Sequence, residues 1–206
     1  MNKYVKYPRT YHLPWSEGIS NDDKVLQNVD HWNAQIVVVT EKMDGENTTM
    51  YNDHIHDRSI DSRNHPSRNW VKGFWSSIKH KIPDGWRICG ENLYAKHSIH
   101  YENLESYFLG FSIFDDRNMC LSWKETLTWF NYFEIEPVRE LYRGPFDEEA
   151  IKQHWDAVGK EGYVVRTDGE FHYDNFSENV GKYVRKNHVK TDKHWSNMEI
   201  VPNKLR

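Results

Sequence analysis

Residues 36–51, IVVVTEKMDGENTTMY, decide the fold and raise the first question about function. The four residues at the start are β-branched and apolar, which is typical of a short strand buried on both faces. Asp44-Gly45 is a favoured pair for a hairpin or another tight turn. Lys42 therefore stands where a buried strand ends. Lysines end strands in many proteins, so this placement alone does not identify a function.

Composition limits the class of protein. The chain has 206 residues, enough for a domain with an ordinary core. Cys89 and Cys120 lack CxxC spacing, which argues against a zinc ribbon and fits a reducing compartment. The formal net charge of −4 does not indicate a protein that coats nucleic acid, although a local basic groove could bind a phosphate backbone. Without a leader-like segment or a run of about 20 apolar residues, we expect a cytoplasmic protein with no membrane contact.

Short apolar segments separated by turn signals predict an α+β fold with antiparallel-rich sheets and a few helices. The predicted strands contain IVVVT, GWRICGENLYA, YFLGFSIFD, EGYVVRT and GKYVRKN. The predicted helices cover residues 66–81, 122–133 and 147–158. Ser122 is the expected N-cap of the second helix, with Glu125 at the capping-box position. We find no repeat or linker, so we expect a single domain over residues 1–206.

Five motifs lie at the ends of these strands, in the order KMDG, GENLYA, FSIFD, EGYVV and GKYVR. Their charged members are Lys42, Glu91, Glu161 and Lys182. In order and spacing they resemble the motifs of the covalent nucleotidyltransferases, the superfamily of ATP-dependent DNA ligases, RNA ligases and mRNA capping enzymes. The resemblance extends over residues 40–187. KxDG alone recurs by chance in many proteins, but five elements in this order do not.

The resemblance places Lys42, Asp44 and Lys182 in the catalytic centre and implies a lysine-AMP intermediate with release of pyrophosphate. A lysine attacks phosphorus only when its amine is neutral, and lowering its pKa from about 10.4 to near 7 costs about 4 to 5 kcal/mol. Burial, Lys182 and a magnesium ion, or manganese in its place, would supply that shift. Glu161 resembles the metal ligand, Glu91 the ribose-binding residue and Asp44 the residue that fixes the loop. Each acid taken singly also fits a solvated surface position.

The same resemblance assigns further residues to the binding of ATP. Phe111 in FSIFD would stack on adenine, although an ordinary core position explains it as well. Arg63 in DSRNH resembles a serine-arginine motif that binds phosphate or an RNA 3' end, with Arg58 and Arg68 as nearby alternatives. The remaining nucleotide-binding candidates are Glu41, Gly45, Asn47 and Lys186.

The sequence departs from the DNA ligase pattern after the nucleophile. DNA ligases usually read KxDGxR, and Asn47 occupies the position of that arginine, so KMDGEN is closer to RNA ligases. Asn47 would then help to position the nucleotide or the acceptor strand. The closing motif is usually KxK, whereas GKYVRK maps only Lys182 clearly, with Lys186 expected on the same strand face.

About 20 residues follow the last motif, which leaves no room for the further domain that many ligases carry there. We expect strand binding to come from this domain or from a partner protein. The segment after GKYVR, KNHVKTDKHWSNMEIVPNKLR, has a composition suited to phosphate contacts and base stacking. A solvated helix explains that composition equally well.

The sequence therefore predicts an ATP-dependent RNA ligase that adenylylates itself at Lys42, passes AMP to an RNA 5'-phosphate and joins that end to a 3'-hydroxyl. The expected architecture is a nucleotidyltransferase fold with an ATP-grasp-like pocket. A DNA-nick ligase and a GTP-using, capping-type guanylyltransferase are the alternative enzymes. A non-catalytic RNA-binding module that retains the pocket is the alternative from another class.

Overall fold

The computed structural model describes residues 3–61, 64–186 and 199–206. The strands are β1 (Tyr11–His12), β2 (Ile36–Lys42), β3 (Glu46–Met50), β4 (Ile55–Asp57), β5 (Arg87–Asn92), β6 (Phe108–Phe114), β7 (Met119–Cys120), β8 (Glu136–Pro137), β9 (Glu140–Pro145), β10 (Gly162–Thr167), β11 (Phe171–His172) and β12 (Val180–Val184). The helices are α1 (Asn69–Ile78), α2 (Trp123–Phe133), α3 (Glu148–Gln153) and α4 (Phe176–Asn179). Short 3-10 turns occupy Asp30–Trp32, Pro66–Arg68, Lys79–Lys81 and Tyr173–Asn175.

The strands form two sheets. The first has the order β1-β12-β10-β2-β9, and the second has the order β11-β7-β6-β5-β3-β4, with β8 beside β6. Among the named strands of the described residues, only β1 with β12 and β6 with β8 pair in parallel. The predicted α+β class, with antiparallel-rich sheets and a few flanking helices, is confirmed.

The chain crosses from one sheet to the other immediately after Lys42. β2 is an interior strand of the first sheet, whereas β3 belongs to the second. Asp44-Gly45 is therefore a bend between sheets and not a hairpin. A Cβ atom at Gly45 would lie 2.6 Å from the carbonyl oxygen of Asn92. The glycine is required at this bend because the two backbones approach so closely.

The apolar run of β2 lies between two hydrophobic clusters. Val37 and Val39 pack with Trp32 and other apolar side chains on one face, whereas Val38 packs with Trp123 and its neighbours on the other. Burial on both faces is thus confirmed for the three valines, while Ile36 is 45% exposed at the start of the strand. Because both faces are covered, the position of the end of β2, and of Lys42 with it, is fixed by packing.

The predicted helices are present, with differences at their ends. Over residues 66–81, α1 has a 3-10 turn on each side. The Ser122 hydroxyl accepts a hydrogen bond from the Glu125 amide and donates one to the Glu125 carboxylate, so the capping prediction is confirmed. The third helix ends at Gln153 and not near residue 158. The chain turns there, since the Asp156 carboxylate accepts from the Val158 amide and Gly159 has a positive φ.

Strand β9 is not predicted by the sequence pattern. It lies at the edge of the first sheet and contains both a glycine and a proline. Its side chains are partly or largely exposed, so it lacks the apolar signature of the interior strands. In the described part of the chain, no helix has the length and apolar character needed to cross a membrane.

The close approach of β10 and β12 gives the first prediction. A Cβ atom at Gly162 would lie 1.9 Å from the carbonyl oxygen of Tyr183, so Gly162→Ala must force the two strands apart. We expect the free energy of unfolding to fall by about 3 kcal/mol. At Gly73, in α1, a Cβ atom would meet nothing within 4 Å in the described structure, and Gly73→Ala should stabilise by about 0.5 to 1 kcal/mol. Urea unfolding measures both changes, and a Gly162→Ala variant as stable as the wild type would contradict the packing.

Candidate active site

A cavity of about 630 Å³ opens around Lys42, and both sheets contribute to its wall. The first sheet supplies residues of β2, β10 and β12, while the second supplies residues of β3, β5 and β6. Of the predicted site residues, the cavity wall includes Glu41, Lys42, Gly45, Asn47, Glu91, Phe111 and Lys182. Side chains far apart in sequence are thus brought to one place by the pairing of the strands.

Lys42, in the cavity wall, forms an ion pair with Glu161, which is not itself among the described residues of the wall. Its Nζ lies 2.7 Å from Oε1 of Glu161, whose side chain is 10% exposed. Burial lowers the pKa of Lys42, but the charges of Glu161, Glu91 and Asp44 outweigh burial, and the pKa is raised. The groups of the protein therefore hold Lys42 as a cation. The lowered pKa that the sequence predicts does not arise from burial and Lys182 alone.

Lys182 has the opposite shift. Its pKa is lowered, because its side chain is buried and because the positive charge of Lys42 lies nearby. Asp23 opposes this effect, with its carboxylate 3.8 Å from Nζ of Lys182. The expected second cation is therefore beside the nucleophile candidate, although an acid from the N-terminal part of the chain accompanies it.

Glu91 lies on β5 and faces the same cavity. Burial raises the pKa of its carboxyl group to about 8, and the charges of Glu161 and Asp44 act in the same direction against Lys42. At neutral pH, the carboxyl group is then protonated in a large fraction of molecules. A protonated carboxyl can both donate and accept a hydrogen bond, which suits contact with a sugar hydroxyl.

Asp44 is bound by the loop between β5 and β6. Its Oδ2 accepts hydrogen bonds from the backbone amides of Ser98 and Ile99, each at 2.7 Å. Its own amide donates to the Tyr101 hydroxyl at 2.9 Å. These contacts agree with the predicted role of Asp44 in fixing the loop that carries Lys42.

Two further predicted residues present groups that a ligand could use. The side-chain oxygen of Asn47 is buried and has no hydrogen-bond partner among the described residues, although it lies in the cavity wall. The ring of Phe111 also lies in the wall and contacts Tyr7 edge-on, with 5.1 Å between ring centroids. A buried acceptor without a partner is unfavourable unless a ligand or water donates to it. The side-chain oxygen of Asn47 is therefore a place where a bound ligand could donate a hydrogen bond.

The structure distinguishes two of the arginine candidates. Arg68 binds both carboxylate oxygens of Glu46, at 2.6 and 2.8 Å, and also contacts Asp57. Arg58 lies in the cavity wall, and its charge contributes to the lowered pKa of Lys182. Arg63 lies outside the described residues. Arg58 is therefore placed where an anion could meet it, whereas Arg68 already binds two acids.

Lys186 does not share a strand face with Lys182. β12 ends at Val184, so the alternation of side chains does not reach Lys186. In the described structure Lys186 is exposed, is absent from the cavity wall, and its amide is 3.4 Å from a carboxylate oxygen of Glu17. Of the lysine-rich segment that follows, residues 187–198 lie outside the described residues.

Arg166 is a cavity residue that the sequence analysis missed. Its side chain is buried at 4% exposure and donates to the carbonyl oxygen of Leu121 through Nη2. Its Nη1 is buried and has no partner among the described residues. A cation in the apolar strand EGYVVRT was the signal that could have identified it. Tyr7, Arg9 and Asp23 also line the cavity, but no pattern in the N-terminal segment indicates this.

The two sheets and the Lys42–Glu161 pair define an α+β protein with a lysine-carboxylate site. A model of the family described as RNA ligase matches residues 35–184, well over half of the chain. The chain belongs to this RNA ligase family. A search of curated proteins found no match.

Solved structures with a similar fold are also RNA ligases. An ATP- and Mn-bound mutant of Naegleria gruberi RNA ligase matches with a TM-score of 0.56 and 19% identity, over 90% of this chain and 57% of that chain. An archaeal ATP-dependent RNA ligase matches with a TM-score of 0.59 and 15% identity, over 88% of this chain and 48% of that one. This chain therefore spans about half the length of these ligases, and the likeness is one of fold.

The cluster around Arg68 gives the second prediction. The side chains of Arg68, Glu46 and Asp57 are 15%, 10% and 14% exposed, so Arg68→Ala leaves two largely buried acids without their shared cation. We expect the free energy of unfolding to fall by about 3 kcal/mol.

The matched control is Arg206→Ala. Arg206 and its partner Glu105 are 67% and 55% exposed, so the change leaves no buried charge without a partner. This change should cost less than about 1 kcal/mol. Chemical denaturation compares the two variants, and equal losses would show that the Arg68 cluster has no special role in stability.

Proposed function

We propose that this protein is an ATP-dependent RNA ligase that adenylylates Lys42, transfers AMP to an RNA 5'-phosphate and joins that end to a 3'-hydroxyl. The observation that carries the proposal is the Lys42–Glu161 pair, at 2.7 Å, with Lys42 in the wall of a cavity of about 630 Å³. Lys182, Glu91 and Phe111 meet there from separate strands. Family membership supports the same conclusion.

We propose that this cavity binds the nucleotide and is the ATP-grasp-like pocket expected from the sequence. Its volume of about 630 Å³ lies within the usual range for small-molecule sites, about 300 to 1,000 Å³. In our proposal, Phe111 stacks on the base and Nη1 of Arg166 donates to its edge. Glu91 binds the ribose, and Arg58 meets the phosphates. Each of these side chains already lies in the cavity wall.

The donor groups fit a divalent metal ion that is shared with phosphate. Glu161 offers a hard carboxylate oxygen beside Lys42. Among the described residues, no cluster of three or more His, Cys, Asp or Glu side chains could hold a metal without other ligands. Magnesium is commonly bound by one or two carboxylates together with substrate phosphates, which agrees with this arrangement. When bound, magnesium or manganese would neutralise charge on the phosphate oxygens.

In the proposed reaction Nζ of Lys42 forms a bond to the α-phosphorus, the bond from that phosphorus to the bridging oxygen breaks, and pyrophosphate leaves. The amine must first release a proton to bulk water and break the ion pair with Glu161. Lys182 favours the neutral amine, whereas the surrounding carboxylates favour the charged form. Neutralising those carboxylates is therefore the step on which nucleophile activation depends.

We further propose that the substrate is RNA with 5'-phosphate and 3'-hydroxyl ends. Contacts to 2'-hydroxyl groups on the acceptor strand would distinguish it from DNA. Binding of the strands would come from the surface around the cavity or from a partner protein.

Lys42→Ala tests the nucleophile. The wild-type protein, incubated with α-labelled ATP and magnesium or manganese and then denatured, should retain label, whereas Lys42→Ala should retain none because the attacking amine is absent. Circular dichroism checks that the variant is folded. Lys124→Ala, at an exposed position of α2, is the matched control and should label like the wild type. Label on Lys42→Ala, or label from GTP in place of ATP, would overturn the proposal.

A joining assay tests the substrate class. We expect the wild-type protein to seal 5'-phosphorylated RNA ends, and to seal them more slowly when the terminal 3' nucleotide of the acceptor lacks its 2'-hydroxyl. Gel electrophoresis of nicked duplex, stem-loop and single-stranded substrates measures the rates. Equal rates for the RNA and the deoxy acceptor in all three formats would argue for a ligase that does not distinguish RNA from DNA.

A further inference from the structure

The loop that binds Asp44 has no helix or strand of its own. It comprises residues 93–107, all described, and connects β5 with β6; we call it the Tyr101 loop. It makes the three hydrogen bonds with Asp44 described above: two of its backbone amides donate to the Asp44 carboxylate, and the Tyr101 hydroxyl accepts from the Asp44 amide. A loop of this length without regular structure needs outside contacts to hold three donors and acceptors in place.

Those contacts come from residues 199–206, which we call the brace segment. It is not helical and runs along the Tyr101 loop through isolated bridges, Ala95 with Pro202 and Leu104 with Leu205. The backbone hydrogen bonds between them join Lys96 to Val201, Asn203 to Tyr94, Lys204 to Tyr101, Leu104 to Lys204 and Arg206 to Leu104, at 2.8 to 3.0 Å. The brace segment thus gives the loop the pairing that it lacks internally.

Asn203 is the centre of this contact. It is 1% exposed, and its side chain joins two distant points of the loop. Oδ1 accepts from the Tyr101 amide at 2.9 Å, while Nδ2 donates to the carbonyl oxygen of Leu93 at 2.7 Å. Its carbonyl oxygen accepts from the Tyr107 hydroxyl at 3.0 Å. One buried side chain therefore fixes both the start of the loop and the residue whose hydroxyl meets Asp44.

We propose that Asn203 is a positioning residue for the nucleophile, acting through Tyr101 and Asp44 on the bend that carries Lys42. This inference rests on the proposed adenylylation of Lys42. The path consists of Asn203 to the Tyr101 backbone, the Tyr101 hydroxyl to the Asp44 amide, and two residues of chain from Asp44 to Lys42.

The rate of phosphoryl transfer is sensitive to such positioning. A displacement of about 1 Å at the reacting atoms can cost about 100-fold in rate, even when the substituted residue lies far from the chemistry. Neither Asn203 nor Tyr101 is among the described residues of the cavity wall. We therefore expect substitutions here to slow the chemical step and to leave binding of ATP nearly unchanged.

The experiment measures single-turnover labelling of the full chain with α-labelled ATP over a range of ATP concentrations. Asn203→Ala removes both side-chain hydrogen bonds, and Tyr101→Phe removes only the hydroxyl that meets Asp44. In each variant, the maximal rate per folded molecule should fall by about 10- to 100-fold. The ATP concentration that gives half the maximal rate should stay within about twofold of the wild-type value. Lys204→Ala removes an exposed ion pair with Glu102 on the same segment and should label like the wild type.

The double variant Asn203→Ala/Tyr101→Phe distinguishes positioning from independent structural damage. If both residues act through one hydrogen bond to Asp44, the double variant should be within about twofold of the slower single variant. A rate loss equal to the product of the two single losses would overturn the proposal. So would a wild-type maximal rate in folded Asn203→Ala, or a change only in the ATP dependence.

Hydrogen exchange separates this inference from the proposed function. Asn203→Ala should increase exchange at the amides of Asp44, Ser98 and Ile99, and Lys204→Ala should not. Absence of label on the wild-type protein would remove the proposed function, and exchange would then decide whether Asn203 holds the bend. Unchanged protection of those three amides in Asn203→Ala would overturn the inference in either case.

Discussion

The bend between Lys42 and Glu46 must join two sheets within three residues, and the rest of the site depends on this constraint. β2 and β3 are consecutive in sequence but belong to different sheets. Because the chain crosses here, residues of both sheets line the cavity around Lys42. The crossing also leaves the backbone of the bend without a partner strand, so its polar groups need other partners. Asp44 and the Tyr101 loop supply them.

The pairing of β2, β10 and β12 brings the charged side chains around Lys42 together. The register of β2 against β10 places Gly162 opposite Lys42. Glu161, the residue before Gly162, therefore lies at the end of this pair of strands. β12 continues the sheet and carries Lys182 into the same region. The result is two lysines among several acids, in which burial lowers the pKa of one lysine and the carboxylates raise that of the other. The same group of charges therefore moves the pKa values of the two lysines in opposite directions.

Much of this arrangement could be predicted from local pattern. The apolar run of β2 and the N-cap of α2 each depend on neighbours within a few positions, and both are confirmed. Lys42, Glu91, Phe111 and Lys182 line one cavity, whereas Lys186 does not. Asp44 was expected to fix a loop, but its partners lie more than 50 residues away in sequence. Asn203 and Tyr101 are 102 residues apart, and no periodicity links them. Strand β9 was missed because an edge strand has little apolar signal, and Arg166 because only the fold shows that its strand faces the cavity.

The arginine candidates show that net charge alone does not predict whether a protein binds anions. A chain of net charge −4 is unpromising for a polyanion, yet the useful quantity is the charge left after side chains have paired. Arg68 is paired with Glu46 and Asp57, so it stabilises the fold and adds little positive potential to the cavity. Glu91, with a pKa of about 8, carries only part of its negative charge at neutral pH. Pairing of Arg68 and partial protonation of Glu91 therefore make the cavity less negative than its list of acids suggests, while Arg58 and Arg166 add positive charge to its wall.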